Sequence, residues 1–224
     1  MHIDTITLCT NRLEETKAFY TDIMQCDCEG SDDHAFTVRV GQSLLIFEQH
    51  EQLHENPFYH FTMNIPHNTL EEARAWMADH IPLAEEANKI EYDCPEWNSH
   101  SIYFYDPSGN IVELIARHSL DNAIERPFKM KVDLLCISEI GIVVPEVVPF
   151  VRDMNDIGIA NWKQDDEHFT PLGNENGLII VVKQGRRWLF SNKQALFFPV
   201  KLTIRGIGHL TFMNNGDQII FHPS

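Results

Sequence analysis

The sequence predicts an α+β chain built from repeated β-α-β-β-β units. Two observations carry that prediction. Segments 11–22 (NRLEETKAFYTD) and 68–79 (NTLEEARAWMAD) agree at six of twelve positions without a gap, which marks an internal duplication. Asp106-Pro107-Ser108-Gly109-Asn110 is dense turn chemistry set between two apolar, alternating runs, and so it joins two strands.

The first unit opens with an alternating strand over Ile3–Cys9. A helix follows, with Asn11 as its expected N-cap, acidic residues in its first turn, and Leu13, Phe19, Tyr20 and Ile23 on one apolar stripe. Later strands are expected near Cys26–Glu29, at Ala35–Val40 and at Ser43–Gln49, the last two joined through Gly41-Gln42. The second unit repeats the order: a strand at Phe58–Ile65, a helix capped by Asn68 that buries Leu70, Ala73, Trp76 and Met77, then strands near Ile90–Tyr92, at Ser101–Tyr105 and at Ile111–Ala116. Gln49–Pro57 and His118–Lys131 are polar linkers. Beyond them lies a third, degenerate copy over 132–224: a strand at Ile137–Val144, a helix at Glu146–Asn155, and strands at Gly177–Lys183, Val200–Ile204 and His209–Met213. The expected organisation is therefore two units over 1–118 (1–50 and 57–118), a linker over 119–131, and the degenerate unit. That last part either pairs with a second copy of itself in a dimer, caps the first two units, or packs on them as a small α+β appendage.

Composition narrows the function classes. The formal charge of −16, from 33 acidic and 17 basic residues, repels phosphate backbones and anionic lipid, which argues against nucleic-acid and membrane-surface partners. No apolar run reaches the roughly 18 residues of a membrane span, and no signal pattern precedes the first strand, so a cytoplasmic protein is expected. Five scattered cysteines (Cys9, Cys26, Cys28, Cys94, Cys136) suggest reduced thiols, with neither a disulfide framework nor a zinc ribbon.

Period-two alternation places Glu113 with Ile111 and Ile115 on one face of an apolar strand. A carboxylate buried there needs a cation, hydrogen bonds or a metal; the bland reading is a strand-end Glu that reaches solvent. The pattern Tyr103-Phe104-x-Asp106-Pro107-x-Gly109-Asn110 followed by Glu113, with Tyr59-His60-Phe61-Thr62-Met63 and Leu13-(x5)-Phe19-Tyr20 upstream, resembles the vicinal oxygen chelate superfamily. That group contains glyoxalases, fosfomycin and bleomycin resistance proteins and extradiol dioxygenases. The resemblance covers residues 1–117 and implies paired βαβββ modules closing a cupped, barrel-like mixed sheet.

It also implies a site. In metal-binding relatives the first and last strands of each module supply His and Glu ligands that point into the cup. His60 and Glu113 fall on those positions of the second module, and Glu48 is a looser match in the first. The implied cofactor is one divalent metal, Mn, Zn, Fe or Ni. Thr5 stands where metal-binding relatives usually carry His, and a neutral hydroxyl does not replace imidazole, which disfavours a two-His-one-carboxylate iron site. Strand parity puts Thr5, Thr7 and Cys9 on one face and His60, Thr62 and Asn64 on another; of these Thr5, Thr7, Thr62 and Asn64, with Tyr103, are the expected substrate-binding residues.

Other groups keep a functional and a structural reading side by side. His60 is a ligand or a hydrogen-bonded core histidine. His50 and His54 have i,i+4 spacing but sit in a polar linker, where a solvated loop explains them better; His100 is a loop histidine or an acid–base group at the cup mouth. Gly185-Arg186-Arg187-Trp188 either docks an acidic surface or a ligand carboxylate, or solvates a hairpin end and packs its Trp. Three functions stay open: a metal-dependent enzyme acting on a small molecule with adjacent oxygens, a metal-free binding protein for a small molecule, and a structural or regulatory homodimer.

Overall fold

The structure is a computed structural model that describes residues 1–50, 56–215 and 218–223, with side chains through residue 214. Its first unit is β1 (Ile3–Thr10), α1 (Leu13–Ala18), β2 (Asp27–Ser31), β3 (Ala35–Val40) and β4 (Ser43–Gln49). The second is β5 (His60–Ile65), α2 (Leu70–Ala78), β6 (Glu91–Cys94), β7 (Ser99–Tyr105) and β8 (Ile111–Arg117). After α3 (Met130–Asp133) come β9 (Cys136–Val144), α4 (Val147–Asp156), β10 (Phe169–Asn174) and β11 (Gly177–Lys183), then β12 (Val200–Ile204), β13 (Gly208–Asn215) and β14 (Gln218–Pro223). The α+β class and the repeated unit are as the sequence predicts. Among the described residues no helix is long and apolar enough to cross a membrane.

These strands form two seven-stranded sheets, in the orders β14-β13-β12-β1-β4-β3-β2 and β10-β11-β9-β5-β8-β7-β6. The first and second units do not pair with each other. β12 runs antiparallel to β1 and takes its open edge, with Ile6 opposite Leu202. β9 does the same for β5, with Phe61 opposite Ile140. The C-terminal part is thus divided: β9 to β11 extend the second unit's sheet, and β12 to β14 extend the first unit's.

Two local details depart from expectation. Arg12 and Thr69, not Asn11 and Asn68, occupy the N-cap positions. The asparagine side chains have other work: Asn11 bonds Asn56, while Asn68 Nδ2 donates to the Ile124 carbonyl and its Oδ1 accepts from the Ile124 N–H, clasping the linker before α3. The first helix also widens into a π-helical turn at Phe19–Ile23, which carries Tyr20 into the core. There Tyr20 stacks on Phe47, and Phe47 on Phe36, at centroid separations of 5.4 and 5.2 Å. One face of each sheet contributes to this continuous core through residues such as Ile6, Leu8, Phe61, Met63 and Ile140, each worth about 1.5–3 kcal/mol when fully buried.

The β3–β4 turn joins the two sheets. Gln42 N–H donates to the Leu135 carbonyl, and the Ser43 hydroxyl accepts from Ile137 N–H. Gly41 has φ of 55°, and a Cβ there would run into the carbonyl oxygens of Leu134 and Leu135. Gly41→Ala is therefore expected to lose about 2 kcal/mol or more, read as a lower urea midpoint at unchanged slope.

Candidate functional site

The second sheet's register brings three acceptors together. Thr62 of β5 is paired with Glu113 of β8 on one side and with Glu139 of β9 on the other. His60, two residues before Thr62, shares its face. Ligand atoms of His60, Glu113 and Glu139 all lie within 4.8 Å of one another, and all three residues are buried. The cluster lines a cavity of about 280 Å³, whose walls include Tyr92, Trp97, Tyr103, Phe169 and Trp188.

Each member is held. The Ile111 carbonyl lies 3.1 Å from His60 Nδ1; a carbonyl only accepts, so Nδ1 carries the proton. Burial holds the imidazole's pKa below its ordinary value, against the pull of Glu113 and Ile111, and the Arg186 charge lowers it further. The neutral ring then presents a bare Nε2 lone pair, 3.6 Å from Glu113 Oε2. The Thr62 hydroxyl donates to that same Glu113 oxygen at 2.9 Å. Glu139 is paired with Arg117, which is fully buried, also donates from Nε to Asn64 Oδ1, and has Trp97 and Trp162 rings at 5.7 and 5.8 Å. Burial pushes the Glu139 carboxyl up to about 7, with Glu113 adding to the rise and Arg117 opposing it.

The bare Nε2 and the Glu113 Oε2 thus face each other as two acceptors 3.6 Å apart. A cation resolves that opposition, and one imidazole with two carboxylates is a donor set that divalent Mn, Zn, Fe and Ni accept. The residues present therefore fit such an ion. Their Nδ1-to-carbonyl bond is the outer contact that orients a metal-binding imidazole.

Of the residues singled out in the sequence, His60, Glu113 and Tyr103 line this cavity, and Thr62 is buried beside it, bonded to Glu113. Tyr103 lies flat on Phe190, with centroids 4.7 Å apart, and burial, with the Glu113 charge adding to it, holds its hydroxyl well above its ordinary pKa. Asn64 is on the same strand face but is engaged by Arg117 and by the Glu175 carbonyl, to which its Nδ2 donates. Glu48, Thr5 and Thr7 belong to the other sheet, where Glu48 is ion-paired with Lys201. His100 Nδ1 sits 2.7 Å from His118 Nε2, outside the residues that line the cavity. His50 follows β4 in the first sheet, and His54 lies outside the described residues.

Arg186 and Trp188 of the basic and aromatic turn also line the cavity, while Glu139 and Arg117 are the participants that sequence reasoning missed. Glu139 carries the same mark as Glu113, a lone carboxylate on an apolar strand, in Cys136-Ile137-Ser138-Glu139-Ile140-Gly141. Gly141 makes room for the cavity wall: a Cβ there would meet Trp188 at 2.6 Å.

Comparison with known proteins agrees with this geometry at the level of fold. A family model described as "Toxoflavin-degrading enzyme" matches residues 137–186, from the start of β9 to Arg186. No curated protein sequence matches the chain. Among solved structures, a candidate dioxygenase from Bacillus subtilis superposes with a TM-score of 0.58 at 12% identity, over 81% of this chain and 63% of that one. A V278E mutant of glyoxalase I from Zea mays gives 0.54 at 12% identity, over 81% of this chain and 67% of that one. The chain thus spans under two thirds of the Bacillus subtilis protein. The chain has the fold of the vicinal oxygen chelate superfamily, the glyoxalase and dioxygenase group.

Proposed function

We propose that the chain is a metal-dependent enzyme that acts on a small molecule with adjacent oxygens, bound in the cavity of the second sheet. The convergence of His60, Glu113 and Glu139 at an aromatic-walled cavity carries this reading. A divalent ion held by those three residues would supply Lewis acidity to the substrate's oxygens. The chain's own residues do the rest. Tyr103 and Trp188 exclude water and offer flat faces, Thr62 holds Glu113 through its hydroxyl, and Arg117 holds Glu139 in place. The match of residues 137–186 to the toxoflavin-degrading model supports the same cavity, because that stretch includes Glu139 and Arg186. The protein would work in the cytoplasm as a homodimer, with the units over 1–118 and the strands beyond them sharing two sheets.

One observation favours a second reading, small-molecule binding without metal. The Arg117 guanidinium already neutralises Glu139 and would compete with an ion for it. Metal content separates the two. Protein purified without chelator is expected to carry near-stoichiometric Mn, Zn, Fe or Ni by plasma mass spectrometry, falling at least about tenfold in His60→Ala and Glu113→Ala, as loss of a ligand predicts. Wild type that is metal-free and takes up none of the four added ions would remove the enzyme reading and leave the binder.

A further inference from the structure

We propose that Arg186 is an anion anchor of the cavity, and that the ligand is a flat ring compound bearing a carboxylate or similar planar oxyanion. This rests on the reading that the cavity takes a small molecule, and adds to it a charge and a shape.

The contrast with its neighbour is the starting point. Arg187 is committed to structure: it is ion-paired with Glu86, and its Nη1 donates to the Ser191 carbonyl at 2.9 Å. Arg186 is half-buried and lines the cavity. Its side chain's one hydrogen bond among the described residues is a 3.5 Å contact from Nη1 to the Arg187 carbonyl, and no carboxylate there forms an ion pair with it. Asp166 is the acidic group whose charge it feels most, yet Asp166 Oδ1 already accepts the N–H groups of His168 and Phe169 at 2.7 and 3.1 Å. Burial and the Arg187 charge both disfavour a cation at this point.

A guanidinium partly withdrawn from water without a carboxylate is costly unless something else receives it. Phe169 receives part of it, with its ring centroid 5.1 Å from the guanidinium carbon. That contact engages the charge and leaves N–H donors for a planar oxyanion, the shape an arginine fork matches best. Arg186 lines the cavity together with His60, Glu113 and Glu139. Arg186 therefore acts within the same enclosure as the His60, Glu113 and Glu139 cluster. The remaining lining selects a ring: Tyr103 and Trp188 stand against His60, at centroid separations of 6.2 and 5.0 Å, and Trp97 lies 6.1 Å from Phe169. At about 280 Å³ the cavity has room for one or two rings. In a chain of charge −16, long-range attraction does not bring an anion here, so its recognition falls on a local cation.

The test uses two probes that differ in charge and share a ring and two ortho substituents, 2-hydroxybenzoate and 2-hydroxybenzamide. Each is titrated calorimetrically into the full chain and into Arg186→Gln. Wild type is expected to bind the benzoate at least about tenfold more tightly, the yield of a charge-assisted pair. Arg186→Gln is expected to bring the two affinities within about twofold of each other while keeping that for the amide, which shows the cavity intact. Equal affinities in wild type, a preference that survives in Arg186→Gln, or no saturation by either probe up to about 10 mM would each overturn the anchor. Metal content is measured on the same samples. Metal-free protein with an Arg186-dependent preference would sink the metal reading and leave the anchor; stoichiometric metal without the preference would do the reverse.

Discussion

Asp106→Ala is expected to lose about 3 kcal/mol of folding stability, seen as a lower urea midpoint at pH 7. The buried Asp106 carboxylate accepts from the Tyr20 hydroxyl at 2.9 Å, the Asn110 N–H at 3.0 Å and Asn110 Nδ2 at 2.7 Å. Asn110 in turn accepts Tyr59 N–H through Oδ1 at 2.8 Å, so one carboxylate ties the first unit's helix to the strand that carries His60. Removing it strands three donors in the core, each costing roughly 1–3 kcal/mol, and releases only the penalty of burying the charge. That penalty has its own signature. Burial pushes Asp106 up to about 6 from an ordinary 3.8, despite its hydrogen bonds. The folded state therefore binds this proton more tightly than the unfolded chain. Its contribution raises stability as pH falls from about 6 to about 4 and is flat below. Asp106→Asn should lack that gain; equal pH trends in wild type and Asn variant would contradict it.

Arg117→Met is expected to lose about 3–5 kcal/mol, because it leaves Glu139 buried without its cation. Among the described residues Arg117 is the largest fully buried side chain, and its Asn64 bond and two indole contacts go with it. The double variant Arg117→Met/Glu139→Leu should recover most of the loss, since the unpaired charge rather than lost packing dominates. A double variant no more stable than the single would assign the effect to packing. If the metal reading holds, added Mn²⁺ should also raise the midpoint of Arg117→Met more than that of wild type, because Glu139 is then open to the ion.

Local chemistry made the turn and half of the cluster readable. Asp106 to Asn110 is a turn by composition alone, and Glu113 stands out because period two puts a carboxylate among Ile and Leu. Glu139 has an equal claim by pattern, but joining it to Glu113 requires knowing that Thr62 lies between them. That register is set by a pairing of strands far apart in sequence, which no local signal carries. Glu48 matched by position along a repeated unit, yet the sheet it belongs to is decided by which edge β12 takes. The helix caps failed for a related reason: the asparagines are good caps in isolation, and tertiary partners outbid them. Arg186 was legible as a basic turn, but its freedom from a carboxylate became visible only once Arg187 was seen to hold Glu86.

The pairing of β1 with β12 has a consequence for synthesis. Ile6 meets Leu202, so the edge of β1 that β12 takes stays open until residues 200–204 have left the ribosome. The second sheet closes earlier, because β5 needs only β8 and β9. Such high contact order slows the final step and leaves an aggregation-prone edge in the nascent protein, so the cavity sheet can mature while the first sheet still waits for its last strands.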